Sequence, residues 1–313
     1  ATGARVSHGG TLQAGGATTH VNGGLSNVGG KVFGNSLSVN TNGNALDNSA
    51  QGTLAATTTV DVRSGALQND TGLIQSGAAM TIDTNGQALT NTNAAGYTNG
   101  QGGITSGDTL SLTTGTVNNS AGFIGAKSAL TTSTQAFSNT GGGVVLGQST
   151  VAIDTQGATY DNRSGQTLAA GDLAINAGSG TIDNTSSLLR SGGTTTLNAG
   201  TVVNTNTLGT DQGIEGQNVA IGTGTLINTA GAIRADVNAT LTSGGTVDNT
   251  NGLISAGDTL KITDPNAATP SAKTLNLINT GGTLVADKSV QIDAATFSGD
   301  GQLVSGKDLS VAL

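Results

Sequence analysis

The chain has 313 residues, of which 51 are glycine, none is cysteine or tryptophan, and only 2% are aromatic; 11 Lys plus Arg against 19 Asp plus Glu leave a net charge of −8. No basic face able to neutralise phosphates can be assembled, so no nucleic-acid partner is expected. No apolar run approaches the roughly 18 residues of a membrane span, and without cysteine there are neither disulfides nor thiolate metal sites.

In chain order, Ala1 falls in what reads as the middle of a repeat, with no signal peptide before it. The expectation is a single β-helical segment over residues 1–313, cut from a longer chain. His8 and His20, the only histidines, follow with no Ser or Cys motif beside them. A nucleophile needs a positioned base, so no catalytic residue is assigned. No cofactor-binding or metal-ligating residue is assigned either, and no cofactor is expected.

From there the chain is dominated by one column. Asn27, Asn48, Asn69, Asn91, Asn119, Asn139, Asn162, Asn184, Asn204, Asn228, Asn249 and Asn279 each follow an apolar residue by two positions. The partners are Leu25, Leu46, Leu67, Leu89, Val117, Phe137, Tyr160, Ile182, Val202, Leu226, Val247 and Leu277. At 35% apolar composition chance would fill about four of the twelve. The eleven intervals from Asn27 to Asn279 average about 23 residues, a period typical of a solenoid.

A second apolar column lies five residues after the asparagine, at Val32, Ile74, Ile124, Val144, Leu189, Ile233, Ile254 and Leu284. A third consists of alternating pairs such as Val60 and Val62, Met80 and Ile82, and Val151 and Ile153. Period-2 segments punctuated by Gly, Asn and Ser are strands and turns, and no stretch keeps a 3.6-residue period. The pattern predicts an all-β fold, a right-handed parallel β-helix of about 13 coils of roughly 20–23 residues with three short strands per coil. Ile153 reads as inward and Thr155 as outward, at or near a turn. The asparagines are expected to tolerate the left-handed turn conformation and to bond to one another up the stack, while the glycine three residues on supplies freedom for the corner.

The period breaks at three excursions, near 92–103, 206–213 and 263–274. Insertions in repeat proteins leave the stack as loops, often on the binding face. Tyr97, Asn99, Pro265 and Pro270 are therefore the candidate partner contacts. Asp161 and Asp183 are the best candidates for paired carboxylates, since each precedes the asparagine in adjacent coils; with a groove and aromatic platforms they would make a polysaccharide lyase or hydrolase. Gly-Gly-x-Gly-x-Asp nonapeptides, which would bind calcium, are absent.

Units such as Leu67-Gln-Asn-Asp-Thr-Gly-Leu-Ile-Gln-Ser-Gly-Ala-Ala-Met-Thr-Ile82 and Val247-Asp-Asn-Thr-Asn-Gly-Leu-Ile-Ser-Ala-Gly-Asp-Thr-Leu-Lys-Ile262 resemble the filamentous haemagglutinin-type repeats of two-partner secretion exoproteins. That family includes bacterial adhesins and the stalks of contact-dependent growth-inhibition toxins. The likeness runs from about Leu25 to Val311. It implies a non-enzymatic, elongated stalk on the surface of a Gram-negative bacterium, exported by an outer-membrane secretion partner that engages a region outside this segment. The stalk would present an adhesive or toxic module to a receptor or glycan on a host or neighbouring cell. The alternative is the carbohydrate-active β-helix.

Overall fold

The computed structural model describes residues 5–6, 10–20, 23–94 and 102–313. The chain divides into two compact units, Ala1–Gln156 and Gly157–Leu313. Each is a parallel β-solenoid of seven turns among the described residues. Among those residues no helix is long and apolar enough to cross a membrane.

One coil of the first unit illustrates the fold. The ladder strand Leu67–Gln68 leads through a corner into a second strand, Leu73–Ser76, and a third, Met80–Asp83. Each pairs in parallel with its counterparts in the coils on either side, so that Leu46, Leu67 and Leu89 stand in one row and Val62, Ile82 and Leu112 in another. Side chains two apart share a face of a strand, which sends Met80 and Ile82 inward and Thr81 to solvent. The second unit repeats this, with Ile221, Leu241, Ile262 and Ile292 in register. Each such side chain, fully removed from water, contributes roughly 1.5–3 kcal/mol.

Several coils blur the three-strand division. Thr194–Val203, Gly213–Ile227 and Ala232–Ser243 run as continuous strands through one or more corners. Gly200 and Gly224 lie at such corners in successive coils, and a Cβ on Gly224 would meet the Gly200 carbonyl oxygen at 2.8 Å.

Four sequence expectations require correction. Val144 is half-buried and Val145 is the core residue. The Asn139 coil carries one extra glycine in Gly141–Gly143, and a one-residue slip exchanges the faces of a strand. Thr155 is buried with 0% exposure, beside Ile153 at 2%. It belongs to a small buried column at the corner after the third strand, with Thr41, Ser64, Thr84 and Thr134. There a hydroxyl can bond to nearby carbonyls, as Thr134 does to Gly115 and Ala136.

The other two corrections concern the first corner. No ladder asparagine among the described residues has a positive φ. The left-handed residue is the second one after it: Thr71 at φ 55°, Ala121 at 51°, Ser164 at 57°, Ala230 at 49°. The glycine that follows has the expected backbone freedom at Gly142, with φ 86° and open space around it, but elsewhere it is required by proximity. A Cβ on Gly72 would lie 2.1 Å from the Asn48 carbonyl oxygen, and one on Gly122 would lie 1.9 Å from that of Asn91.

The third-strand pairs are also not uniformly apolar. Thr132 occupies the core row between Leu112 and Ile153. Its hydroxyl is buried without a hydrogen-bond partner. Leaving such a group unsatisfied costs about 1–3 kcal/mol, so the near-isosteric Thr132→Val should raise Tm by several degrees. A Tm unchanged or lowered in a calorimetric comparison would show that the hydroxyl is satisfied.

Candidate functional site

Within each unit the ladder asparagines form a continuous chain of side-chain amides. In the first, Asn27 Nδ2 donates to Asn48 Oδ1, and the relay continues through Asn69, Asn91 and Asn119 to Asn139, every step at 2.7 Å. In the second it runs from Asn162 through Asn184, Asn204, Asn228 and Asn249 to Asn279, at 2.7–2.9 Å. The remaining amide capacity is spent on backbone. Asn228 Nδ2 also donates to the carbonyls of Gly231 and Leu253, at 3.2 and 3.3 Å. A primary amide donates and accepts on one planar group, so it can bond to the coils on both sides at once. The 28- and 30-residue intervals do not interrupt the relay.

The outward carboxylates next to the ladder are committed to turns. Asp47, Asp161, Asp183 and Asp248 each accept the backbone N–H two residues on, at 2.9–3.1 Å, which closes the corner. Asp161 and Asp183 are brought into register as neighbours, as the sequence suggested. Arg163 lies on both, at 2.7 Å from Asp161 Oδ2 and 3.7 Å from Asp183 Oδ2. Partial burial pushes the Asp161 carboxyl up, but the Arg163 guanidinium and N–H bonded to it outweigh this and hold it below its ordinary value. A general acid needs the opposite shift.

Of the candidate contacts, Tyr97 and Asn99 lie outside the described residues. Pro265 and Pro270 are exposed, and Pro270 opens a single 3-10 turn, Pro270–Ala272. This excursion is tied at its base. The buried Asp264 carboxylate accepts the backbone N–H groups of Asn266, Thr274 and Leu275. Lys273 folds back, its side chain only 4% exposed, to pair with Asp293 at 2.8 Å. Burial pushes the Asp264 carboxyl up, yet the three N–H groups and the Lys273 charge prevail and depress it.

A depressed folded-state value means stability that is complete above the unfolded value of about 3.9 and is lost as pH falls through the folded one. Asp264→Asn should therefore cost about 1–3 kcal/mol at pH 7, with the gap from the native chain closing in acid. A gap independent of pH, read from denaturation at pH 7 and pH 3, would remove the carboxylate from this role.

The 206–213 excursion is held by groups that the sequence did not single out. Glu215 accepts from Arg190 Nε at 2.7 Å and from Arg234 Nη1 at 3.1 Å. Arg190 reaches Asp211, and Arg234 reaches the carbonyls of Leu208 and Gln212. Both arginines stand six residues after a ladder asparagine, a signal that could have been found. Glu215 stands eleven after Asn204, displaced by the insertion. Among the described residues no three His, Cys, Asp or Glu side chains come together to hold a metal ion.

Fold and ladder together define the class, a parallel β-solenoid repeat protein with a buried asparagine-amide spine. Compared with protein-family models, curated proteins and solved structures, the chain matches none.

Proposed function

We propose that this chain is a structural stalk segment of a secreted bacterial exoprotein, an adhesin or a growth-inhibition toxin carrier. On this reading it is exported across the outer membrane by a dedicated partner and displayed on a Gram-negative cell surface. It carries no chemistry of its own and sets the reach of an adhesive or toxic module.

The observation that carries the reading is the amide spine. The most regular polar residues of the sequence are buried and consumed in holding coil to coil. The paired carboxylates that would serve an enzyme close turns and bind Arg163. A repeat whose coils contact only their neighbours lengthens without changing its cross-section, as a spacer requires. The repeat-by-repeat resemblance given above supplies the cellular setting. If the segment itself engages a receptor, the irregular excursions at Tyr97 and Pro265–Pro270 are the natural contacts, since specificity needs groups that break the monotony of the stack.

The test displays the chain on a Gram-negative surface with an epitope at its tip. Removing one complete coil, residues 67–88, should lower the epitope's height above the membrane while it remains folded and displayed. The purified chain should leave polygalacturonate and other acidic and neutral polysaccharides intact. Turnover abolished by Asp161→Asn or Asp183→Asn would replace the stalk with a carbohydrate-active enzyme.

A further inference from the structure

The first unit carries a trough on the face of its second strands that has no counterpart role in the spine. Its outward column runs from Gln13 through Phe33, Ala55, Gln75 and Thr105 to Leu146, each step in register. With coils about 4.8 Å apart, it extends over about 29 Å. Two adjoining cavities, which share Ala56, Thr57 and Gln75, follow it. The trough is hollow because the floor residues are small: Gly34, Ala56, Ser76, Ser106 and Ala126.

The chemistry of the lining is specific. Gln13, Gln75 and Gln148 expose primary amides, and Phe33 is half-exposed among them. Lys127 is the only charged residue along either cavity among the described residues. Thr105 is only 9% exposed, and its buried hydroxyl has no hydrogen-bond partner. In the second unit the corresponding column holds Arg190, Glu215 and Arg234, whose ion pairs occupy it.

We propose that this trough binds an uncharged, linear glycan laid along the column. Primary amides both donate and accept, which matches a ligand whose polar groups are all hydroxyls. A phenyl face suits the C–H face of a sugar ring. The near-absence of charge disfavours a sulfated or uronic polymer, whose anionic groups would find only Lys127 to pair with. An extended peptide is disfavoured because strand addition needs a free sheet edge. Here the strands crossing the trough from Lys31–Asn40 to Phe123–Ala126 are paired on both sides, and a ligand along the column lies across them, not beside an edge.

The proposal rests on the surface-display reading and goes beyond it by adding to the excursions a second contact, on the stack itself, where the row of outward side chains is broken by a hollow. The test titrates the purified chain calorimetrically with cellohexaose, xylohexaose and mannohexaose, with a heparin hexasaccharide and an unstructured decapeptide as comparators. At least one neutral hexasaccharide should saturate, and Gln75→Ala and Phe33→Ala should each weaken it about tenfold, the loss of one good contact. Ala55→Arg, which places a bulky charge on the outward side of the trough, should abolish binding with Tm unchanged. The proposal is overturned if no neutral hexasaccharide saturates at millimolar concentration, if the heparin fragment or the peptide binds more tightly, or if the three variants bind like the native chain. Mass spectrometry of the recovered sugar separates the two readings. A bound sugar cleaved by the protein keeps the trough and ends the stalk, whereas no binding ends the trough and leaves the stalk.

Discussion

Gly231→Ala should unfold or locally melt the second unit, while Gly244→Ala, two corners away in the same coil, should be nearly silent. A Cβ on Gly231 would sit 1.8 Å from the Asn204 carbonyl oxygen and 2.5 Å from Asn228 Oδ1. Both atoms belong to the spine, and neither is the free end of a flexible chain. Asn204 Nδ2 is tied to Asn228 Oδ1 and to the Ala232 carbonyl, so the coils must separate to admit the methyl. Overpacking costs about 1–3 kcal/mol and occasionally more, and a clash with two fixed atoms lies at the upper end. On Gly244 the nearest atom would be Pro265 Cγ at 3.5 Å, ordinary contact, and the cost should stay within about 0.5 kcal/mol. Thermal melts of the two variants decide the matter. If both melt alike, the glycine column serves backbone freedom, as the sequence had suggested.

Asn228→Asp should be comparably severe, and in a pH-dependent manner. The change is isosteric and removes only the donor. Asn228 Nδ2 faces three acceptors: Asn249 Oδ1 at 2.7 Å and the carbonyls of Gly231 and Leu253. A carboxylate there would place a charged oxygen against oxygen in a site with 0% exposure. An unpaired buried charge costs several kcal/mol or takes up a proton. Its folded-state pKa would be raised well above the unfolded value of about 3.9. The penalty is then smallest at low pH and grows as pH climbs above about 4. The variant should melt closest to the native chain near pH 4 and furthest from it at pH 7 and above. A deficit that is flat across that range would mean the amide does not face acceptors.

The sequence made the stacking legible because a core one row wide leaves little choice of residue. Leu46, Leu67 and Leu89 face each other only if the coils are parallel and in register, and the asparagine two residues on marks that register twelve times. The corners were less legible. The left-handed position accepts Thr71, Ala121 and Ser164 as readily as glycine, so residue type does not announce it. Spacing misled at Val144, where one added glycine moves the core to Val145. Core threonines such as Thr132 and Thr195 hide coils from any search for paired aliphatics. Thr195 is accommodated by bonds to Ser191 Oγ and the Glu215 carbonyl. The Arg190–Glu215–Arg234 cluster was obscured because an insertion shifts Glu215 out of its neighbours' count. The trough depends on what is small, Gly34, Ala56 and Ala126, and residues chosen for absence of bulk carry no motif.

The account rests on the amide spine, and side-chain hydrogen exchange tests it most directly. In the 15N-labelled chain, the Nδ2 protons of Asn48, Asn69, Asn204 and Asn228 are buried and bonded to the neighbouring coil. They should exchange only through coil opening, and therefore slowly and together. Those of the exposed Asn42 and Asn85 should exchange freely. Ladder amides that exchange as fast as Asn42 and Asn85 in the folded chain would contradict the spine and the stacking built on it.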